Sequence, residues 1–334
     1  MAPSVLIRGE GIAACCCLHL LTRGGLPLIV ETGDRPRVPA IMLGEATQKL
    51  LADVFDRRDL FDGLPRINKR IVAWGKSSAP MALPHSAVVV SEEILLDRIQ
   101  SRLPEPNPSS GRQPAWTIFA ARPLPQSSEE HHFGSRMATA SAVKLNNGCD
   151  SGACWIESLD HGWLFLLPGD DRAWLLSVGD SPETLLARSL LISGQIAEIS
   201  ASRGTFPSHP RIVEPLCEPG WLACGTAALG FDPLCGDGTG HAIREAILAS
   251  AVVRAGIDGT DVDALVAHYR ARLMAGFKRH LEACHEFYQA GRSGPWWDQE
   301  LNSLDRGLEW CARRLESAPA FRFRLSGFAL EAID

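Results

Sequence analysis

The segment from residue 4 to residue 31 constrains the fold of this chain more than any other. Val5-Leu6-Ile7 is a short apolar run of strand type, and Gly9-x-Gly11-x-x-Ala14 follows at once. Helical spacing then runs from Ile12 to about Arg23, before a second apolar run from Leu26 to Val30. Strand, glycine turn, helix and strand in that order open a βαβ unit, whose strands lie parallel under a crossover helix. Gly9 permits the tight turn, Gly11 leaves bare backbone for a pyrophosphate to approach, and Ala14 lets helix and strand pack closely. An anion at the helix start would meet free N–H groups and the positive end of the dipole. Glu31, twenty residues past Gly11, ends the second strand, where a carboxylate can accept hydrogen bonds from a ribose. The pattern points to a dinucleotide site; the competing reading is a chance turn in a buried βαβ unit.

Length and composition set the class. The chain has 334 residues, 46% apolar and 22% charged, with a formal net charge of -6, which is ample for a large core. Disordered, collagen-like and small disulfide-stapled chains are excluded. The mild acidity argues against nucleic acid as a partner, since such binders carry a basic stripe. Ten cysteines, at 15, 16, 17, 149, 154, 217, 224, 235, 284 and 311, form no disulfide framework and no Cys-x-x-Cys pair. Reduced thiols in a cytoplasmic protein without a metal site are the expectation. The apolar run Ile12–Leu21 is too short to span a bilayer and leads into another strand pattern, so neither signal peptide nor membrane anchor is expected.

Further along, the pattern predicts helices over 46–62, 91–102, 182–200, 238–256 and most of 261–316, the last broken around Gly291–Pro295. Strand-like runs fall at Arg70–Trp74, Ala87–Val90, 115–121 and Trp221–Gly225, and Trp155–Val178 alternates as two or three antiparallel strands. The stretch 104–114, rich in Pro, Ser and Gly, reads as a surface loop or hairpin tip. Interleaved strands and helices predict an α/β or α+β fold around a dinucleotide-type core.

A second glycine-rich segment follows the strand at Trp221. It reads Gly225-Thr226-Ala-Ala, then Phe231-Asp232-Pro233-Leu234-Cys235-Gly236-Asp237-Gly238-Thr239-Gly240. A turn of this kind opening a long helix either presents N–H groups to a polar ligand edge or is a loop with strong turn chemistry. With Gly9–Ala14, it belongs to six landmarks in fixed order. The others are Gly44-Glu45-Ala46-Thr47, Trp74-Gly75, Ile118-Phe-Ala-Ala-Arg122, and Gly162-Trp163-Leu-Phe165-Leu-Leu167-Pro168. A tail, Phe287-Tyr288…Arg292…Pro295-Trp296-Trp297, follows them. Together these resemble the FAD-dependent monooxygenases of the p-hydroxybenzoate hydroxylase fold, in the tryptophan-halogenase-like branch. That branch includes flavoproteins that mature tryptophylquinone cofactors by oxidising a tryptophan of a partner protein.

The resemblance implies a Rossmann-like FAD-binding domain over 1–257, with an antiparallel substrate sheet inserted at about 61–85 and 136–210, and a helical C-terminal region over 258–334. It implies FAD held by Gly9, Gly11, Ala14, Glu31, Gly44, Glu45, Arg122, Gly225, Thr226, Gly236, Asp237 and Gly238. Pro233, Cys235 and Gly236 would lie at the flavin pyrimidine end, with backbone N–H groups stabilising negative charge there. Electrons would come from transiently bound NAD(P)H or a partner flavin reductase, because no second Gly-x-Gly-x-x-Gly is present. Reduced flavin and O2 would give a C4a-hydroperoxide that hydroxylates an aromatic substrate, such as a tryptophan side chain of a peptide or partner protein.

Individual side chains carry two readings each. Trp163 and Phe165 resemble a halogenase segment that walls the substrate site, or pack in the core. Lys69 falls near the activating lysine of a halogenase, or belongs with Asn68 and Arg70 to a solvated charge run. His85 is a candidate general base in the substrate region, or structural; His241 could approach the flavin. Trp296 and Trp297 read as a docking surface for a protein substrate or as a plug for the C-terminal helices. Three departures stand out: Thr226 replaces the family aspartate on the flavin ribityl chain, Glu93 replaces an arginine, and 118–122 lacks the aspartate and glycine of D-A-T-G-R. They keep two alternatives open beside the monooxygenase: a flavin-dependent halogenase, and a non-catalytic flavin-fold adaptor or chaperone.

Overall fold

A computed structural model describes residues 3–33, 36–75, 79–100, 113–169, 172–317 and 320–333. The helices are α1 (Ile12–Arg23), α2 (Glu45–Phe55), α3 (Glu92–Gln100), α4 (Pro182–Arg188), α5 (Gly238–Ile257), α6 (Val262–Gln289) and α7 (Pro295–Glu316). Four sheets accompany them among the described residues. The first runs Cys217–Glu218, Trp221–Ala223, Trp116–Phe119, Val5–Arg8, Leu28–Glu31, parallel except for its two-residue edge. Val5–Arg8 has Leu28–Glu31 on one side and Trp116–Phe119 on the other, so the strand order reverses at Val5–Arg8. The crevice at the carboxyl end of such a switch point is where open α/β sheets hold ligands.

The second sheet has eight strands in the order Ile196–Pro207, Met137–Leu145, Ala173–Gly179, Gly162–Leu167, Ala153–Leu159, Arg66–Ala73, Met81–Val90, Ile41–Gly44. All its pairings are antiparallel except Arg66–Ala73 with Ala153–Leu159. A small sheet joins Leu229–Gly230, Arg211–Glu214 and Glu129–His132, and a hairpin joins Phe323–Ser326 to Ala329–Ala332. The fold is therefore mixed α/β, with a Rossmann-like sheet, an antiparallel sheet and a helical C-terminal region. Ile41–Gly44 and Met81–Val90 bring into the second sheet residues outside 61–85 and 136–210, and the C-terminal region ends in the hairpin.

Local chemistry explains the elements that frame the site. Helix α1 is apolar almost all round because it is buried, packing on α5 with the Cys17 thiol on the Ala246 carbonyl at 3.7 Å. Helix α7 is instead amphipathic: Trp297, Glu300, Leu304, Gly307 and Cys311 form one buried stripe at helical spacing. Both tyrosines, Tyr269 and Tyr288, are fully buried, with their hydroxyls satisfied by the Ala223 carbonyl and the Asp232 carboxylate. All ten cysteines are free. No helix among the described residues is long and apolar enough to cross a membrane.

The predicted helix over 182–200 is corrected: α4 stops at Arg188, and Ile196–Pro207 is a strand paired with Met137–Leu145. Buried Glu157 is the reason. Its carboxylate collects the Ser189 hydroxyl and the N–H groups of Leu190, Leu191 and Ile192, turning the chain where a helix would run on. The predicted helix over 46–62 ends at Phe55, where Asp56 takes the left-handed conformation and a short turn at Asp59–Phe61 follows. The loop expected at 104–114 falls, apart from its last two residues, outside the described residues.

Candidate functional site

Two helix N-termini meet at one glycine. At the end of Val5–Arg8, the Gly9 N–H donates to the Glu31 carbonyl at 2.8 Å, and Gly9 has φ +133. A Cβ there would lie 3.1 Å from Ala120 and Ala121, a tight approach, and the backbone conformation demands glycine. Gly11 caps α1 through its backbone alone, with no side-chain cap and no acid in the first turn. Gly225, at φ +57, faces this end: a Cβ on it would lie 2.8 Å from the Ala13 Cβ and 3.9 Å from the Ala242 Cβ. Ala13 belongs to the first turn of α1 and Ala242 to the second turn of α5, so Gly225 lies between the N-terminal parts of both helices. Helix α5, starting at Gly238, has no side-chain cap hydrogen bond, although the Asp237 carboxylate lies against its first turn beside Gly240.

Asp237 links two distant landmarks. Its Oδ1 accepts from Thr47 Oγ1 at 2.6 Å and its Oδ2 from Arg244 at 2.8 Å. Thr47 is buried in the first turn of α2, which Gly44 caps and in which Glu45 is exposed. The GEAT segment and the 225–240 segment thus meet. The short turn Pro233–Cys235 precedes Gly236 and is opened by Asp232, whose Oδ1 accepts the Leu234 N–H at 2.8 Å.

Other predicted residues lie around this centre with their own partners. Glu31 accepts from Arg8 Nε at 2.6 Å, the two side chains being about half and two-fifths exposed, and Arg8 also lies over the Phe119 ring. Arg122 is ion-paired to Glu130, which also takes Arg211 at 3.3 Å and His132 at 3.1 Å. The second nitrogen of Arg211 donates to the Thr226 carbonyl at 2.6 Å, and Thr226 is exposed. Lys69 is ion-paired to Asp150 at 2.5 Å on the surface of the second sheet. His85 lies 3.4 Å from Arg70 on that sheet, and burial holds its imidazole below the ordinary value. His241 stacks on Phe231 at 4.1 Å and is also lowered by burial. Phe165 is partly buried against the core.

Sequence reasoning missed a buried charge network beside this turn. Arg136, fully buried, pairs with Asp232 at 2.9 Å and Glu300 at 2.5 Å. The Tyr288 hydroxyl donates to Asp232 at 2.9 Å, and Trp163 Nε1 donates to the Tyr288 oxygen at 3.1 Å. Trp163 and Trp296, two of the predicted tryptophans, therefore meet on Tyr288, against which Trp296 stacks at 6.1 Å. Burial raises the Asp232 carboxyl, opposed by Arg136. Trp297, fully buried, donates to the Leu159 carbonyl at 2.9 Å. Glu300 could have been found in the sequence as the one acid on the apolar stripe of α7.

Two further groups went unread. Glu245 in α5 is buried; Oε2 accepts the Gly225 N–H at 2.7 Å, and Oε1 has no partner among the described residues. Burial pushes its carboxyl up to about 8. Cys235, His280 and Cys284 bring their donor atoms within 4.8 Å of one another, the last two at i and i+4 on the buried face of α6.

No protein-family profile matches the chain, and no curated protein matches its sequence. Solved structures do. A peptidyl tryptophan dihydroxylase essential for tryptophylquinone cofactor biogenesis, QhpG, superposes at TM-score 0.70 with 17% identity, over 90% of this chain and 79% of its own. The flavin-dependent halogenase CmlS gives TM-score 0.70 with 18% identity, over 95% of this chain and 72% of its own. A single-residue variant of HpxO from Klebsiella pneumoniae, complexed with FAD, gives 0.62 with 15% identity over 95% of both chains. The chain has the fold of the flavin-dependent monooxygenases and halogenases.

Proposed function

We propose that the chain is an FAD-dependent monooxygenase that hydroxylates an electron-rich aromatic group, a tryptophan side chain of a peptide or partner protein being the substrate class. The observation that carries this reading is the meeting of the N-terminal parts of α1 and α5 at Gly225. The bare N–H groups and dipole of α1 favour the phosphates of a dinucleotide, while the first turn of α5 already carries the Asp237 carboxylate. The residues fit the group. Gly9 and Gly225 leave backbone where a side chain would crowd its neighbours, and no acid sits in the first turn of α1. Gly9, Gly11 and Ala14 would hold the pyrophosphate, Glu31 the ribose, and Gly225, Thr226 and Gly236–Gly238 the flavin side. Bound and reduced, FAD would supply oxygen activation and transfer of one oxygen atom.

The chain's own residues have definite work in this reading. Trp163, Tyr288 and Trp296, which pack together, would wall the substrate side against water, and the Trp163–Tyr288–Asp232–Arg136 network would hold the 233–235 turn. Asp237, held by Thr47, keeps α2 and α5 in register around the site. The likeness to a peptidyl tryptophan dihydroxylase supports the substrate class. The electron donor in this reading is NAD(P)H or a flavin reductase, with O2 as oxidant.

The test is the visible spectrum of the purified protein, an FAD titration, and O2 uptake driven by NAD(P)H or a reductase in the presence of tryptophan-containing peptides. Flavin absorption with peptide-stimulated uptake is expected. Colourless protein that takes up no added FAD overturns the reading.

A second reading, a non-catalytic adaptor on the flavin fold, is favoured by one observation: the acceptors are engaged or missing. Glu31 is paired with Arg8, and Thr226 brings no charge and has its carbonyl on Arg211. Tight FAD binding with turnover excludes it. The halogenase reading gains nothing from Lys69, whose ammonium is paired with Asp150; halide-dependent product lost in Lys69→Ala would revive it.

A further inference from the structure

The short turn Pro233–Cys235 and helix α6 bring two thiols together. Cys235 Sγ lies 3.5 Å from Cys284 Sγ, and the Cys284 thiol lies 3.3 Å from His280 Nε2. Cys235 is partly exposed, whereas Cys284 and His280 are buried. Two thiols and an imidazole invite a soft metal ion. The surroundings oppose one: the Nε2 lone pair already accepts the Asp232 N–H at 2.9 Å. The fully buried Arg136 guanidinium acts on both His280 and Cys284, and would repel a divalent cation. Burial also pushes the Cys284 thiol up, away from the thiolate a metal needs.

A disulfide requires none of these costs. It leaves the Asp232–His280 bond in place, carries no charge, and needs the sulfurs to approach by roughly 1.5 Å to reach bonding distance. Cys235 is partly exposed on its three-residue turn, so its sulfur is the one that peroxide reaches first. We propose that Cys235 and Cys284 form a peroxide-oxidised dithiol, in which Cys235 reacts first and Cys284 resolves it. The Cys235 sulfur attacks one oxygen of hydrogen peroxide, the O–O bond breaks, and the departing hydroxide takes the thiol proton as water. Cys235 is then a sulfenic acid. The Cys284 sulfur attacks the Cys235 sulfur, the S–O bond breaks, and that oxygen leaves as a second water carrying the Cys284 proton. Two thiols and one peroxide become one disulfide and two waters, with sulfur oxidised by two electrons and peroxide reduced by two.

The product tethers the 233–235 turn to α6. Where the proposed flavin site is correct, oxidation holds the flavin-facing turn in one position; the cross-link itself does not depend on that reading.

The experiment uses the full chain, reduced, freed of flavin and small thiols, exposed to hydrogen peroxide, quenched with an alkylating reagent and digested with trypsin. Cleavage after Arg211, Arg244, Arg279 and Arg292 releases peptides 212–244 and 280–292. A dithiothreitol-reversible disulfide between them is expected, lost in Cys235→Ser and in Cys284→Ser. Cys217 and Cys224 share the first peptide, so persistence of the link in Cys235→Ser overturns the assignment. Sulfinic or sulfonic acid on Cys235 with Cys284 still alkylated overturns it too. So does one equivalent of copurifying zinc that protects both thiols. Should Cys284→Ser fail to fold, Cys235→Ala and Cys235→Ser decide, because that side chain is on the surface turn. FAD titration of the reduced protein is a separate measurement, so the dithiol and the flavin reading can fail independently.

Discussion

Thr47 donates a 2.6 Å hydrogen bond to Asp237 across 190 residues of sequence, from the first turn of one helix to the cap of another. Thr47 is buried, and its bond to a carboxylate ties the GEAT segment to the turn that opens α5. Loss of a hydrogen bond to a charged group costs about 1.5–3 kcal/mol when buried. The Asp237 carboxylate is about one-third exposed and keeps Arg244, so Thr47→Val is expected near the low end, about 1.5 kcal/mol. Urea unfolding of Thr47→Val, Asp237→Asn and the double variant measures the coupling. Additive effects would remove this bond from the architecture of the site.

The buried Arg136 supports a larger effect. Its guanidinium faces Asp232 and Glu300, and its plane covers the Tyr288 ring at 4.6 Å. Arg136→Met keeps volume but leaves two carboxylates near one another without a cation, a loss of about 3–5 kcal/mol. Replacing Arg136, Asp232 and Glu300 together by apolar or amide residues should cost less than Arg136→Met alone, since no uncompensated charge remains. Denaturant midpoints of the two proteins check the order.

The parts of the fold legible in the sequence are those set by local chemistry. The break between α6 and α7 is legible because Gly291-x-x-Gly294-Pro295 cannot continue a helix and apolar spacing resumes at Trp296. The βαβ opening is legible because its glycines, strand runs and terminal acid all act within thirty residues of one another. Ile196–Pro207 is not, because its strand state depends on Glu157, about forty residues earlier, capturing the N–H groups of 190–192. Arg136 is hidden for the same reason: it reads as an ordinary surface charge until the tertiary fold supplies Glu300, 164 residues away. At the candidate site the glycines are legible, but the engagement of Glu31 by Arg8 is a contact between neighbouring strands that no spacing reveals.

Glu245 imposes a pH dependence. Burial lifts its carboxyl from 4.5 to about 8, so between those values the folded chain retains a proton that the unfolded chain has released. The contribution to stability is full below about pH 4.5, declines as pH rises toward about 8, and is flat above. Glu245→Gln preserves an acceptor for the Gly225 N–H and cannot ionise, so the variant should gain on the wild type as pH rises through this window. Unfolding midpoints of both proteins from about pH 5 to about pH 9 give the difference curve. A constant difference would mean that Glu245 does not titrate in the folded chain.

Arg8 and Glu31 bear most directly on whether this chain is an enzyme or an adaptor. The glycine turn is built to receive a dinucleotide, yet the carboxylate beside it is paired with an arginine from the adjacent strand. A ribose must share or displace that guanidinium. Both side chains are more than a third exposed, and such pairs are worth about 0.2–1 kcal/mol. Breaking the pair therefore costs the fold little, and the competition it imposes on a ligand is bounded by the same figure. Arg8→Ala is expected to leave the unfolding midpoint nearly unchanged and to tighten FAD binding by up to about fivefold, the factor equivalent to 1 kcal/mol. Glu31→Gln should weaken binding in both the wild-type and Arg8→Ala backgrounds, and more in the second, where the carboxylate is free. Fluorescence titration of FAD with the four proteins measures all of this at one ionic strength. If Arg8→Ala instead weakens FAD, the guanidinium itself contacts the cofactor, and the Arg8–Glu31 pair is part of the binding site rather than a competitor for it.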